Sequence, residues 1–137
     1  MKKKVTFTLP KYTIKDIKKR VFKIRQLSNK VTYSDVVTMY LEYSFKDMED
    51  ELIERNNMDN PPSLYSISKK LHFTIPKTYV IPMEVSEKLN YYSMRLGLKK
   101  SHLIILSCKI FEKENEDKIN QKILELLDTY NKNSHIK

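Results

Sequence analysis

Lys4, Thr6 and Thr8, and again Lys70, His72 and Thr74, occupy every second position of two short runs, Lys4-Val5-Thr6-Phe7-Thr8-Leu9-Pro10 and Lys70-Leu71-His72-Phe73-Thr74-Ile75-Pro76. An ammonium donates hydrogen bonds, while a hydroxyl and a neutral imidazole each donate and accept. These six side chains are therefore equipped to recognise polar edges. Bond-making chemistry finds little support elsewhere: His72, His102 and His135 lie far apart, Cys108 stands alone in an apolar run, and one glycine cannot build a phosphate-cradling loop. Glu84 and Glu87 fall in the first turns of a helix, where its dipole explains them. The expectation is a binding protein, not an enzyme, with no metal or cofactor.

The elements that position the six residues follow from the same runs. Strict alternation puts Val5, Phe7, Leu9 and then Leu71, Phe73, Ile75 on one side, the pattern of a half-buried strand. Proline closes each run, because it lacks an N–H and disfavours helix for the residue before it. Two strands alone are marginal in water, so helices must cover the apolar face and leave the Lys/Thr/His face open.

Helices are legible after both strands. Thr13 with Asp16 predicts a capped start, and Ile14, Ile17, Val21, Ile24 and Leu27 form one stripe. Ser28-Asn29-Lys30 breaks that pattern, and Thr32-Tyr33-Ser34-Asp35 opens a longer helix to about Asn57. Residues 58–68 lose both periodicities and carry a Pro-Pro pair, as a linker does. Beyond strand 70–75, Pro82 is the expected first residue of a helix with Val85, Leu89, Tyr92 and Leu96 as its stripe and Gly97 at its end. A fourth helix begins near Lys99-Lys100-Ser101 with its capping box lost, Lys99 standing where Thr32 does and His102 where Asp35 does.

Charge singles out one end of the chain. The protein carries +9 overall, and residues 1–35 hold eleven basic and two acidic residues whereas 36–57 hold two and six. Such a concentrated excess suits a polyanion-facing surface. No apolar segment approaches the roughly 18 to 20 residues that span a bilayer, and the basic start leads into no signal-like core. A soluble cytoplasmic protein is expected, with no membrane partner.

A strand of alternating polar and apolar residues, a proline, a helix, a small-residue turn and a Thr/Ser-x-Ser-acid helix start together resemble the ribbon-helix-helix DNA-binding proteins, the family of the Arc and Met repressors. The resemblance covers residues 3 to about 50 and 69 to about 111, so two units stand in one chain, an arrangement similar to tandem relaxosome accessory proteins of F-type plasmids. It implies a mainly α fold with a short two-stranded antiparallel β-ribbon, an intramolecular pseudo-dimer of units 1–57 and 69–111. It further implies that the ribbon enters the major groove of double-stranded DNA, with Lys4, Thr6, Thr8, Lys70, His72 and Thr74 on base edges. Lys2, Lys3, Thr32, Tyr33, Ser34, Lys69, Lys100 and Ser101 would meet phosphates. On this alignment the bound site is an imperfect palindrome, mismatched opposite His72.

Residues 112–137 lie outside the family pattern. Ile119, Ile123, Leu126, Leu127 and Tyr130 form an apolar stripe, read as a helix that packs back on the second unit or, alternatively, docks a second protein or a second copy through residues 113–137. The functions left open are a repressor that occupies the groove, a DNA-bound relaxosome, partition or antitoxin-type accessory protein, and a basic interaction module that does not bind DNA.

Overall fold

The alternation of Val5, Phe7 and Leu9 with Lys4, Thr6 and Thr8 becomes strand β1 (Lys2–Pro10) in the computed structural model. The structure describes residues 1–28, 30–57 and 74–112, together with positions 118, 120, 121, 124, 125 and 128. After β1 come α1 (Lys11–Arg25), α2 (Tyr33–Asn57), β2 (Thr74–Pro82), α3 (Met83–Leu96) and α4 (Lys100–Glu112). A strand followed by two helices thus occurs twice, and the fold is mainly helical around one two-stranded antiparallel sheet.

The sheet pairs Thr6 with Thr78 at its centre, Lys2 with Pro82 at one end and Pro10 with Thr74 at the other. Thr6 and Thr78 are 72 positions apart, and antiparallel pairing about them relates each β1 residue to the β2 residue 72 further on by a local two-fold axis. Phe7 and Tyr79 are such equivalents, and their rings meet across the axis with centroids 6.2 Å apart. Leu9 and Ile81 are another pair, both fully buried.

This register corrects the expected second strand. The expected strand 70–75 closed by Pro76 gives way, among the described residues, to Thr74–Pro82 with Pro76 inside it. Lys69, Lys70, Leu71, His72 and Phe73 lie outside the described residues, as does the expected linker 58–68. Pro76 is tolerated because each strand of a two-stranded ribbon is an edge. Its partner Thr8 donates its amide away from the ribbon, to the Ser101 hydroxyl at 3.1 Å. In an antiparallel ladder that marks Thr8 and Pro76 as a non-hydrogen-bonded pair, where a missing N–H costs nothing. The strand escaped the alternation rule because Tyr79, Val80 and Ile81 are apolar in succession.

Helix starts differ from expectation in two places. Helix α1 begins at Lys11 with Pro10 as its N-cap, and no side chain caps it. The proline fixes φ at −69° and turns the chain directly from strand to helix. The expected cap residue Thr13 is therefore inside the helix, buried, with its hydroxyl unpartnered among the described residues. Pro82 likewise is the last strand residue and the N-cap of α3, rather than its first helical residue. By contrast, Gly97 ends α3 at φ +68°, as the lone glycine should. The Thr32 box also forms, with the Asp35 amide donating to Thr32 Oγ1 at 3.1 Å and the Thr32 amide to Asp35 Oδ2 at 3.0 Å.

One hydrophobic core joins both halves. Phe7, Leu9, Tyr79 and Ile81 from the sheet meet Ile17 and Ile24 of α1, Val36, Leu41 and Met48 of α2, Leu89 of α3, and Leu103 and Ile104 of α4. The described part of the tail turns inward: Arg20 Nη1 donates to Asn120 Oδ1 at 2.9 Å, and Leu124 packs against the core. Ile119, Ile123, Leu126, Leu127 and Tyr130 lie outside the described residues.

Candidate functional site

With Val5, Phe7 and Leu9 of β1 turned to the core, the even-numbered residues form the outer face of the ribbon. Lys2, Lys4, Thr6 and Thr8 are all exposed there. The register sets Pro82, Val80, Thr78 and Pro76 opposite them in that order. At the centre the hydroxyls of Thr6 and Thr78 share a 2.7 Å hydrogen bond, which fixes two rotors side by side on the outermost surface. A polar strip with one basic end is thereby held on a rigid, core-backed sheet.

Two helix starts brace the ribbon crosswise. Ser34, near the start of α2, accepts the amide of Val80 at 2.9 Å, and Ser101, near the start of α4, accepts that of Thr8 at 3.1 Å. Thr8 and Val80 are two-fold equivalents, so each half lends a serine to the strand of the other. The bonds also occupy strand amides that would otherwise present an open edge. Consequently the N-termini of α2 and α4, where unpaired N–H groups concentrate positive potential, flank opposite edges of the ribbon.

A cleft of about 360 Å³ lies beside the first of these helix starts, lined by Ile14, Ile17 and Lys18 of α1, by Thr32, Tyr33 and Ser34, and by Lys77, Thr78 and Tyr79 of β2. Lys77 is the two-fold equivalent of Val5 and occupies a core-side position, yet it lines this opening together with Lys18. The cleft walls thus carry two cations and no carboxylate. The exposed Tyr33 ring is covered by Arg25, whose guanidinium carbon sits 5.4 Å from its centroid. Burial pushes the Tyr79 phenol up to about 12, so the hydroxyl beneath the ribbon stays neutral at physiological pH.

Among the expected base readers, Lys4, Thr6 and Thr8 stand together on the outer face, whereas Thr74 is half-buried at the far end of β2 opposite Pro10. Lys70 and His72 are outside the described residues, and the mismatch expected opposite His72 lies there with them. Of the expected phosphate contacts, Lys2 and Lys3 are exposed on β1, and Thr32, Tyr33 and Ser34 cluster at the start of α2. Lys100 and Ser101 are half-buried at the start of α4. Sequence reasoning missed Thr78, Val80, Pro76, Lys77 and Lys18. Aligning the halves on the prolines that precede each amphipathic helix, Pro10 and Pro82, would have found the first four.

No protein-family model, no curated protein and no solved structure matches the chain. The described residues contain no grouping of side chains that could hold a metal ion and no helix long and apolar enough to cross a membrane.

Proposed function

We propose that this protein is a sequence-specific binder of double-stranded DNA of the ribbon-helix-helix type, two units in one chain, and that it acts as a regulator by occupying the major groove. One observation carries the reading: an exposed Lys/Thr strip on a two-stranded ribbon is flanked on both edges by helix N-termini that are tied to it crosswise through Ser34 and Ser101. A two-stranded ribbon fits the major groove, where lysine bonds guanine O6 and N7 and threonine meets a base edge or a thymine methyl. The phosphate backbones run along the two sides of that groove, and a helix N-terminus on each side suits them.

Among the described residues no metal-holding cluster accompanies the strip, and the reading involves no catalysis or cofactor. The tail enters through its inward contacts, Arg20 to Asn120 and Leu124 on the core, which favour groove occupancy over recruitment of a partner by residues 113–137. Two measurements test the proposal on the full chain. Anisotropy of a labelled duplex should show affinity falling by orders of magnitude between about 50 and 200 mM salt, from counterion release. The double variant Lys2→Glu with Lys4→Glu should abolish binding while leaving the melting temperature within a few degrees. Undiminished binding by that variant would remove the ribbon from the interface.

A further inference from the structure

Resting on that reading, we infer that the ribbon reads a non-palindromic site in one fixed orientation, with a guanine called for in one half only. The local two-fold axis exchanges Lys4 with Pro76 and Thr8 with Val80, and leaves Thr6 and Thr78 matched at the centre. One end of the outer face therefore carries the Lys4 ammonium opposite Val80, with Lys2 beyond. The other end carries Thr8 opposite Pro76 and, among the described residues, has no cation on the strand face.

These ends cannot make the same contacts. Lysine bonds the O6 and N7 acceptors of guanine, and an apolar side chain such as Val80 packs on a thymine methyl. At the opposite end Pro76 has no side-chain donor or acceptor, and the Thr8 hydroxyl lies 3.5 Å from that of Ser101. That end is left to methyl contact and the Thr8 hydroxyl, which tolerate more sequences. Lys2, Lys4, Thr6, Thr8, Pro76, Thr78 and Val80 are all exposed, and neither Pro76 nor Val80 belongs to the core cluster. Packing against the helices does not account for their apolar character.

Selection of duplexes from a random pool by the full chain tests the inference, followed by the same selection with two variants. The expected motif carries a guanine and a neighbouring thymine in the half read by Lys4 and Val80 and a looser preference in the other, and Lys4→Ala should cut discrimination at that guanine about tenfold while the other half is unchanged. Pro76→Lys combined with Val80→Thr gives β2 the outward Lys-Thr-Thr of Lys4, Thr6 and Thr8 and should make the motif palindromic at the positions these residues read. A palindromic motif from the unaltered chain would overturn the inference and leave DNA reading intact. Tight binding without any motif, or no binding, would overturn both.

Discussion

Strands β1 and β2 are near copies on the core side and unlike on the outer side. Phe7 and Leu9 match Tyr79 and Ile81 in burial and position, and the amides of Thr8 and Val80 each find a serine from the opposite half. Outside, only Thr6 and Thr78 correspond, while the two-fold equivalent of Lys4 is Pro76 and that of Thr8 is Val80. The helices repeat the contrast: α1 carries seven basic residues and one acidic, its equivalent α3 two of each. Folding demands the shared features, because four apolar side chains must cover the helices and the strand amides need acceptors. It makes no such demand on the outer strip, whose divergence is therefore open to whatever the ribbon meets.

The sharpest way to break this comparison is in the core. Leu9 and Ile81 are equivalent and fully buried, so Leu9→Ala and Ile81→Ala should each cost about 2 to 5 kcal/mol. Urea unfolding followed by circular dichroism reads both. Costs that agree within about 1 kcal/mol would support two structurally equivalent halves. A mild Ile81→Ala beside a severe Leu9→Ala would mean that β2 only lies against a core built by the first half.

A smaller effect tests the crosswise serines. Ser34→Ala and Ser101→Ala each remove the acceptor of one strand amide, and at these exposed bonds the loss should be about 0.5 to 1.5 kcal/mol. Water can replace an exposed acceptor, which keeps the effect below that of a core truncation. Hydrogen exchange should place the opening at Val80 for Ser34→Ala and at Thr8 for Ser101→Ala. Protection lost at the strand of the same half instead would refute the cross-bracing.

How far the sequence could be read divides along the same line. Elements announced by local rules were legible: β1 by its period of two, α1 and α2 by their stripes, the Thr32–Asp35 box by its spacing and the end of α3 by Gly97. What failed was the placement of β2, because Leu71, Phe73, Ile75 and Pro76 imitate the first strand more closely than Thr74–Pro82 does. Pairing is decided by nonlocal contacts, and here by which residues reach Phe7 and Leu9 in the core. A strand with three apolar residues in succession and an internal proline violates the local pattern, yet it satisfies the partner that buries it. The site divided accordingly, Lys4, Thr6 and Thr8 being found from β1 while Thr78, Val80 and Pro76 required the register. Nor did the sequence reveal that Thr13 lies within α1, since the capping rule matched Thr13 and Asp16 equally well.

The finest test uses a chemical difference between the buried rings, a phenol in Tyr79 where β1 has the Phe7 ring. Burial, reinforced by the neighbouring Cys108 and Tyr33, raises the Tyr79 pKa from 10.0 to about 12. A folded-state pKa above the unfolded one means that the native protein holds its proton more tightly. The contribution is thus fully present below pH 10 and is lost as pH rises through about 12. Tyr79→Phe should leave stability at pH 8 nearly unchanged and flatten the alkaline decline, by less than about 1 kcal/mol at pH 10.5. Burial raises Tyr40 in the same direction, and burial with a hydrogen bond to Glu49 raises Tyr92 to about 12, so the decline persists in the variant with a shallower slope. Urea midpoints at the two pH values measure the difference. An unchanged slope would mean that the Tyr79 hydroxyl reaches water in the folded protein, and that the two strands present their core faces less alike than Phe7 and Tyr79 suggest.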